Sequence, residues 1–159
     1  MISQTSEYAL RAVVYLAAQT LNEQTSASQI SEATKVPVLY LQKVLRMLSK
    51  HHILTAQRGA GGGFQLAKLP SSISVYDVLR ATETEIERIS SCPLGIKGHT
   101  TLCALHKLLD SEIARIQQAF ASTSIEDLLT TTNNQPLCRS SMRPQGLTIS
   151  DFPAENKKE

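Results

Sequence analysis

From Thr5 to Gln19 apolar residues stand at positions 9, 10, 13, 14, 16 and 17, among others, and the stretch has no Gly or Pro. Steps of three and four place these side chains on one face, so the spacing predicts a core helix over 5–19. Ser26 and Gln29 then stand at capping-box spacing, in which the Ser oxygen takes an orphan amide and the Gln side chain reaches back. A short second helix follows, with Ile30 and Ala33 facing inward. After Thr34-Lys35-Val36, Pro37 suits the first turn of a third helix, where its missing N–H costs nothing. Leu41, Val44, Leu45 and Leu48 make that helix's apolar stripe, which runs to about Lys50. Two helices joined by a short turn, the second one basic, carry the pattern of a helix-turn-helix.

The period then changes. Ile53 to Gln57 and Phe64 to Ala67 read as strands on either side of Arg58-Gly-Ala-Gly-Gly-Gly63, a hairpin that would form a wing. Glycines at 59, 61, 62 and 63 permit positive φ and leave no side chain between the backbone and a close partner such as a phosphate. The turn is neither a nucleotide phosphate loop, since no Lys-Ser or Lys-Thr follows, nor a dinucleotide fingerprint, since a strand follows instead of a helix.

Beyond the wing, Ser74 and Asp77 repeat the capping-box spacing and open a helix through Val78, Leu79 and Ala81. A Ser-rich loop spans roughly Ile89 to Thr101. Apolar positions 102, 105, 109, 113, 116 and 120 then trace a stripe along a helix of about five turns. So long a helix, so far from the first core, is expected to pack on a second subunit. Ser124 to Asp127 caps one last short helix, and residues 131–159 read as a flexible tail. The predicted fold is mostly α: a winged helix-turn-helix with a two-stranded wing and a long C-terminal dimerisation helix. The expected organisation is a DNA-binding domain over 1–82, a sensor loop over 83–101, a dimerisation helix region over 102–130, and the tail.

A chain of 159 residues that is 42% hydrophobic and 19% charged has enough apolar material for one modest domain, which argues against wholesale disorder. No run of 18 uncharged apolar residues exists, and the N-terminus lacks the basic start and apolar stretch of a signal peptide. A cytoplasmic protein with no membrane partner is expected. Three cysteines, an odd number, do not read as a disulfide framework there, which leaves metal, redox chemistry or plain packing to explain them.

The formal net charge of +2 hides an asymmetry: residues 1–69 hold 7 Lys and Arg against 3 Asp and Glu, whereas residues 70–130 hold 5 against 8. From Lys35 to Lys68 there are 6 basic residues and no acid, with His51 and His52 in the same stretch. Such a segment is either a phosphate-facing surface or a solvated helix face, and the helix-turn-helix and wing around it favour the first. No nucleophile, base and orienting group stand together at a defensible spacing, so an enzyme is not expected. A DNA-binding transcription regulator is the leading function. The alternative is a winged-helix adaptor that binds a partner protein.

Four runs are recognisable together: Ser28-Gln-Ile-Ser-Glu-Ala33, Val36-Pro-Val-Leu-Tyr-Leu-Gln-Lys-Val-Leu45, Gln57-Arg-Gly-Ala-Gly-Gly-Gly-Phe-Gln-Leu-Ala67 and Ile73-Ser-Val-Tyr-Asp-Val-Leu-Arg-Ala81. They resemble the Rrf2 family of bacterial winged-helix transcription regulators, which includes IscR- and NsrR-like cluster sensors, over about Met1 to Leu129. The wing motif Arg-Gly-x-Gly-Gly-Gly-aromatic, here Arg58 to Phe64, is its most specific part. The resemblance implies a homodimer on double-stranded operator DNA, with recognition helices in successive major grooves and wings in the flanking minor grooves. It places Tyr40, Gln42 and Lys43 on the recognition helix and Arg58 in the minor groove, and Arg46, Lys50, Gly61 and Gly62 complete the expected DNA-binding set. Gln can pair with an adenine edge and Arg is drawn to a narrow minor groove; Tyr40 is alternatively a helix-packing residue. Leu39 departs from the family, standing where some members have a small polar DNA-contacting residue.

Cluster-holding members carry three cysteines before the long helix; this chain has Cys92 and Cys103 with nothing between. Cys103-Ala-Leu-His106 matches the last cysteine and ligand histidine of IscR-like members, and Glu7 matches the position from which some supply a carboxylate across the dimer. The resemblance thus implies a two-iron two-sulfur cluster on Cys92, Cys103, His106 and a Glu7 from the second copy, with His99 or Cys138 in reserve. A cluster-free regulator, with ordinary thiols and no metal, is the other expectation.

Overall fold

The computed structural model describes residues 2–19, 24–59, 61–82, 86–92 and 101–130. Helix α1 spans Gln4–Ala17 and starts where the Ser3 hydroxyl accepts the Ser6 N–H at 3.2 Å. It is two residues shorter at its C-terminal end than the apolar spacing predicts. Its Ala9, Ala12, Val13 and Leu16 are buried. Helix α2, Ala27–Thr34, has the full capping box of Ser26 and Gln29, an arrangement worth about 1 kcal/mol to a helix end. Of its expected inward residues Ile30 is fully buried and Ala33 only half, while Thr34 turns in and donates its hydroxyl to the Ile30 carbonyl at 2.7 Å.

The chain then reverses through Lys35, a left-handed residue at φ 58°, into α3, Val38–Lys50. Pro37 is the extended N-cap of α3 and not its first helical residue; its carbonyl accepts the first helical N–H, from Leu41, at 2.9 Å. Leu41, Val44, Leu45 and Leu48 lock this helix into the core, and truncating one of its leucines to Ala would cost about 2–5 kcal/mol.

Strands β1, Leu54–Gln57, and β2, Gly63–Leu66, pair antiparallel with Leu54 opposite Leu66 and Gln57 opposite Gly63. The ladder starts one residue later than expected because the Ile53 N–H is committed to the Leu48 carbonyl at 3.0 Å, closing the end of α3. Thr25 adds a third backbone pairing, exchanging bonds of 3.0 and 2.8 Å with Phe64, and so ties the hairpin to the start of α2.

Helix α4, Val75–Ala81, opens with the Ser74 and Asp77 capping box and ends at Thr82, whose hydroxyl meets that of Ser6 at 2.7 Å in the interior. Helix α5, Ala104–Ser122, begins two residues later than the apolar spacing suggests, because Cys103 is its extended N-cap. None of its residues is buried. The last helix, α6, spans Ile125–Thr130; Ile125 is fully buried, and its N–H bonds the Ile73 carbonyl at 2.8 Å. One core therefore joins α1 to α4 and the base of the hairpin with the residue that opens α6. Among the described residues no helix is long and apolar enough to cross a membrane. His99, Cys138 and the expected tail lie outside the described residues.

Candidate nucleic-acid interface

Burying one face of α3 dictates what the other face can present. With Leu41, Val44, Leu45 and Leu48 turned inward, the exposed positions include Leu39, Gln42, Lys43, Arg46 and Lys50. Positions 39, 43, 46 and 50 follow one another by four, three and four, a single stripe along the helix. Lys43, Arg46 and Lys50 meet no acid partner in that stripe: among the described residues the ion pairs are Arg11 with Glu7, Arg88 with Asp110 and Arg115 with Glu112. A row of cations lacking carboxylates has strong Coulombic attraction for a polyanion.

Tyr40 is placed differently. Its hydroxyl lies 2.5 Å from Thr5 Oγ1, and its ring meets that of Tyr8 edge-on, centroids 5.6 Å apart at 83°. Both partners are on α1, so Tyr40 makes the packing contact that the sequence leaves open for it.

Arg58 follows β1 at the edge of the wing and is exposed. The glycines beside it divide into two kinds. Gly59 and Gly61 have φ of 102° and 79° and open space around them, so they are backbone-conformation glycines. Gly62 and Gly63 are packing glycines: a Cβ would fall 2.3 Å from the Gln57 carbonyl oxygen at the first and 2.6 Å from the Thr25 carbonyl oxygen at the second. Gly61 leaves its surface clear toward a ligand, while Gly62 closes the hairpin itself.

Of the expected sensing residues, Cys103 and His106 lie at the N-terminal end of α5. The exposed Cys103 Sγ is 3.2 Å from Nδ1 of the half-buried His106, one turn on. Cys92 is half-buried, and Glu7 is engaged with Arg11 on α1. Among the described residues of one chain, no group of three His, Cys, Asp or Glu stands close enough to hold a metal. The pair supplies two donors of types that suit iron-sulfur centres and zinc, but not a four-ligand cage.

Two features near this pair escape a reading of the sequence. Asp110 accepts from Arg88 Nε at 2.6 Å and from the Ile89 N–H at 2.9 Å, fastening the Arg88–Ile89 segment onto α5. Leu108 joins the exposed apolar side of α5: Leu105, Leu108, Leu109 and Ile116 are 61, 58, 45 and 45% exposed. The first could have been sought as a basic and an acidic residue on either side of the predicted loop, the second as an i, i+3 neighbour of Leu105.

The sequence model of the Rrf2 family, described as an iron-dependent transcriptional regulator, matches residues 2–131. A curated relative, the putative HTH-type transcriptional regulator ORF2 of Azotobacter vinelandii, is 28% identical over 147 residues, covering 91% of this chain and 88% of its own. Among solved structures, CymR (YrzC), the global cysteine regulator of B. subtilis, superposes with a TM-score of 0.73 at 24% identity, covering 84% of this chain and 98% of its own. IscR of T. potens gives a TM-score of 0.67 at 22% identity over 82% of this chain and 87% of its own. These similarities establish the shared fold, and the match over residues 2–131 establishes the lineage: the chain belongs to the Rrf2 family, whose members are transcriptional regulators and not enzymes.

Proposed function

We propose that this chain is a homodimeric repressor that grips double-stranded operator DNA through α3 and the wing. The observation that carries the reading is the stripe of Lys43, Arg46 and Lys50, none of which pairs with a carboxylate among the described residues, with the exposed Arg58 on the wing that follows. Gln42, on the same face, has the donor and acceptor needed to pair with an adenine edge, while the cations neutralise phosphates. Arg58 suits a narrow minor groove, where the potential is most negative. The exposed side of α5 is the dimer seam in this reading, since apolar surface of that extent is covered by a second copy.

Operator affinity is set by the state of the segment from Cys92 to Cys103. Cys103 and His106 are the two donors that stand together, and Cys92 and a Glu7 from the second copy complete the set for a two-iron two-sulfur cluster. When bound, such a group would supply an oxidant-sensitive crosslink. Without it, Cys103 and His106 still make an exposed thiol–imidazole pair, and the cluster-free, redox- or ligand-responsive form of the same regulator rests on that pair.

The test has two arms. Affinity for duplex DNA is measured against salt: the logarithm of the binding constant should fall with a slope of about −0.9 per neutralised phosphate, and Lys43→Ala should lower that slope by about one. Salt-independent binding, or none, would hand the fold to the protein-adaptor reading. Protein purified without oxygen is then assayed by visible absorption, iron and sulfide. Cys92→Ala and Cys103→Ala should each abolish bound metal while Cys138→Ala leaves it intact, and metal-free protein favours the cluster-free form.

A further inference from the structure

Leu39 is the most exposed large apolar residue among those described, at 81%, and it occupies the second position of α3. Its neighbour Tyr40 is held against α1 by Thr5 and Tyr8. Leu39 instead heads the stripe that continues through Lys43, Arg46 and Lys50. In a helix that enters the major groove, the N-terminal residues are the ones that reach base edges, and the later cations meet backbone phosphate. A leucine there has no hydrogen-bond donor or acceptor. The one apolar group that distinguishes base pairs in the major groove is the thymine 5-methyl. Against a guanine or cytosine edge the same side chain would strip water from polar groups and give nothing back, so it discriminates in both directions.

We propose that Leu39 is a specificity-determining residue that reads a thymine methyl group in each half-site. This rests on the DNA-binding reading above. The probe is the duplex that the wild-type protein recovers from a random-sequence DNA pool, with each thymine replaced in turn by deoxyuridine, which lacks the methyl alone. Wild-type protein should lose about fourfold in affinity at one thymine per half-site, the value of burying one methyl-sized group. Leu39→Ala, at an exposed position where Ala is a strong helix former, should keep the wild-type thermal midpoint. It should bind the unmodified duplex more weakly and be indifferent to that same thymine. Wild-type binding that ignores every thymine methyl, or a Leu39→Ala protein that still loses fourfold at the same thymine, overturns the assignment while leaving DNA binding in place. If the wild-type protein enriches no sequence at all, the assignment falls together with the reading beneath it.

Discussion

Arg88 and Asp110 meet through both arms of the guanidinium, Nε to Oδ1 at 2.6 Å and a terminal nitrogen to Oδ2 at 2.5 Å. Residues 22 apart are thereby joined across the segment that contains Cys92 and Cys103, and the Ile89 N–H shares the same carboxylate. The hydrogen bond from Arg88, followed by that from the Ile89 backbone, holds the Asp110 carboxyl below its ordinary range, against the opposing effect of desolvation.

The clasp has a pH signature. A carboxyl whose pKa is depressed in the folded state contributes fully above its unfolded value, about 3.9, and loses that contribution as pH falls through the depressed folded value. Asp110→Asn should therefore mimic acid: amide exchange at Ile89 should accelerate by about fivefold at neutral pH, with core amides such as that of Leu45 unchanged. An unchanged Ile89 rate would show that the backbone holds its place without the carboxylate.

The two kinds of wing glycine predict two sizes of loss. Gly63→Ala drives a Cβ into the Thr25 backbone, which cannot swing aside, and should cost about 3 kcal/mol or more. Gly59→Ala meets open space but keeps a φ that an L side chain rarely adopts, a strain of about 1–2 kcal/mol. Denaturant titration of both variants checks the order; a reversal would mean that the Thr25 and Phe64 pairing yields easily.

Gln42→Ala and Arg58→Ala should weaken DNA binding in different ways. Removing the glutamine should relax specificity at one position per half-site, at about 1–3 kcal/mol for the correct base. Removing the arginine should lower affinity chiefly where the flanking minor groove is narrow. Competition binding against single-base operator variants separates the two, and wild-type behaviour in both would remove Gln42 and Arg58 from the interface.

Ile116 is 45% exposed within the chain, so a carboxylate there keeps access to water in a single copy. Ile116→Glu in a dimer seam, by contrast, buries an unpaired carboxylate at a cost of several kcal/mol. The variant should sediment as a folded monomer at concentrations where the wild type is a dimer. A folded dimer with unchanged affinity would place the seam elsewhere.

The parts legible in the sequence are those set by local chemistry. The Ser26, Ser74 and Ser124 caps, the core face of α3 and the paired strands all follow from spacing within a few residues. What escaped depends on meetings between distant residues. The packing contacts of Tyr40 with Thr5 and Tyr8 of α1 are visible only in the fold. Gly59 and Gly62 look alike in a glycine run, yet one answers to its own dihedral angle and the other to a carbonyl across the hairpin. At the candidate sensing site the sequence could supply the Cys103 and His106 spacing, one helical turn, but not the clasp that joins Arg88 to Asp110.

Ile125 shares one interior with Ala9 and Leu45, and its N–H is bonded to the Ile73 carbonyl. The winged half of the protein is therefore not a contiguous stretch of chain: it is completed by a residue that arrives only after α5 has been traversed. A fragment cut at Thr82 would leave a hole the size of an isoleucine side chain. It would also strand the Ile73 carbonyl and the Val75 N–H, the latter otherwise bonded to the Thr123 carbonyl at 2.9 Å. Such a fragment is a poor stand-in for the whole, and a short peptide carrying residues 123–130 is the piece to restore it by complementation.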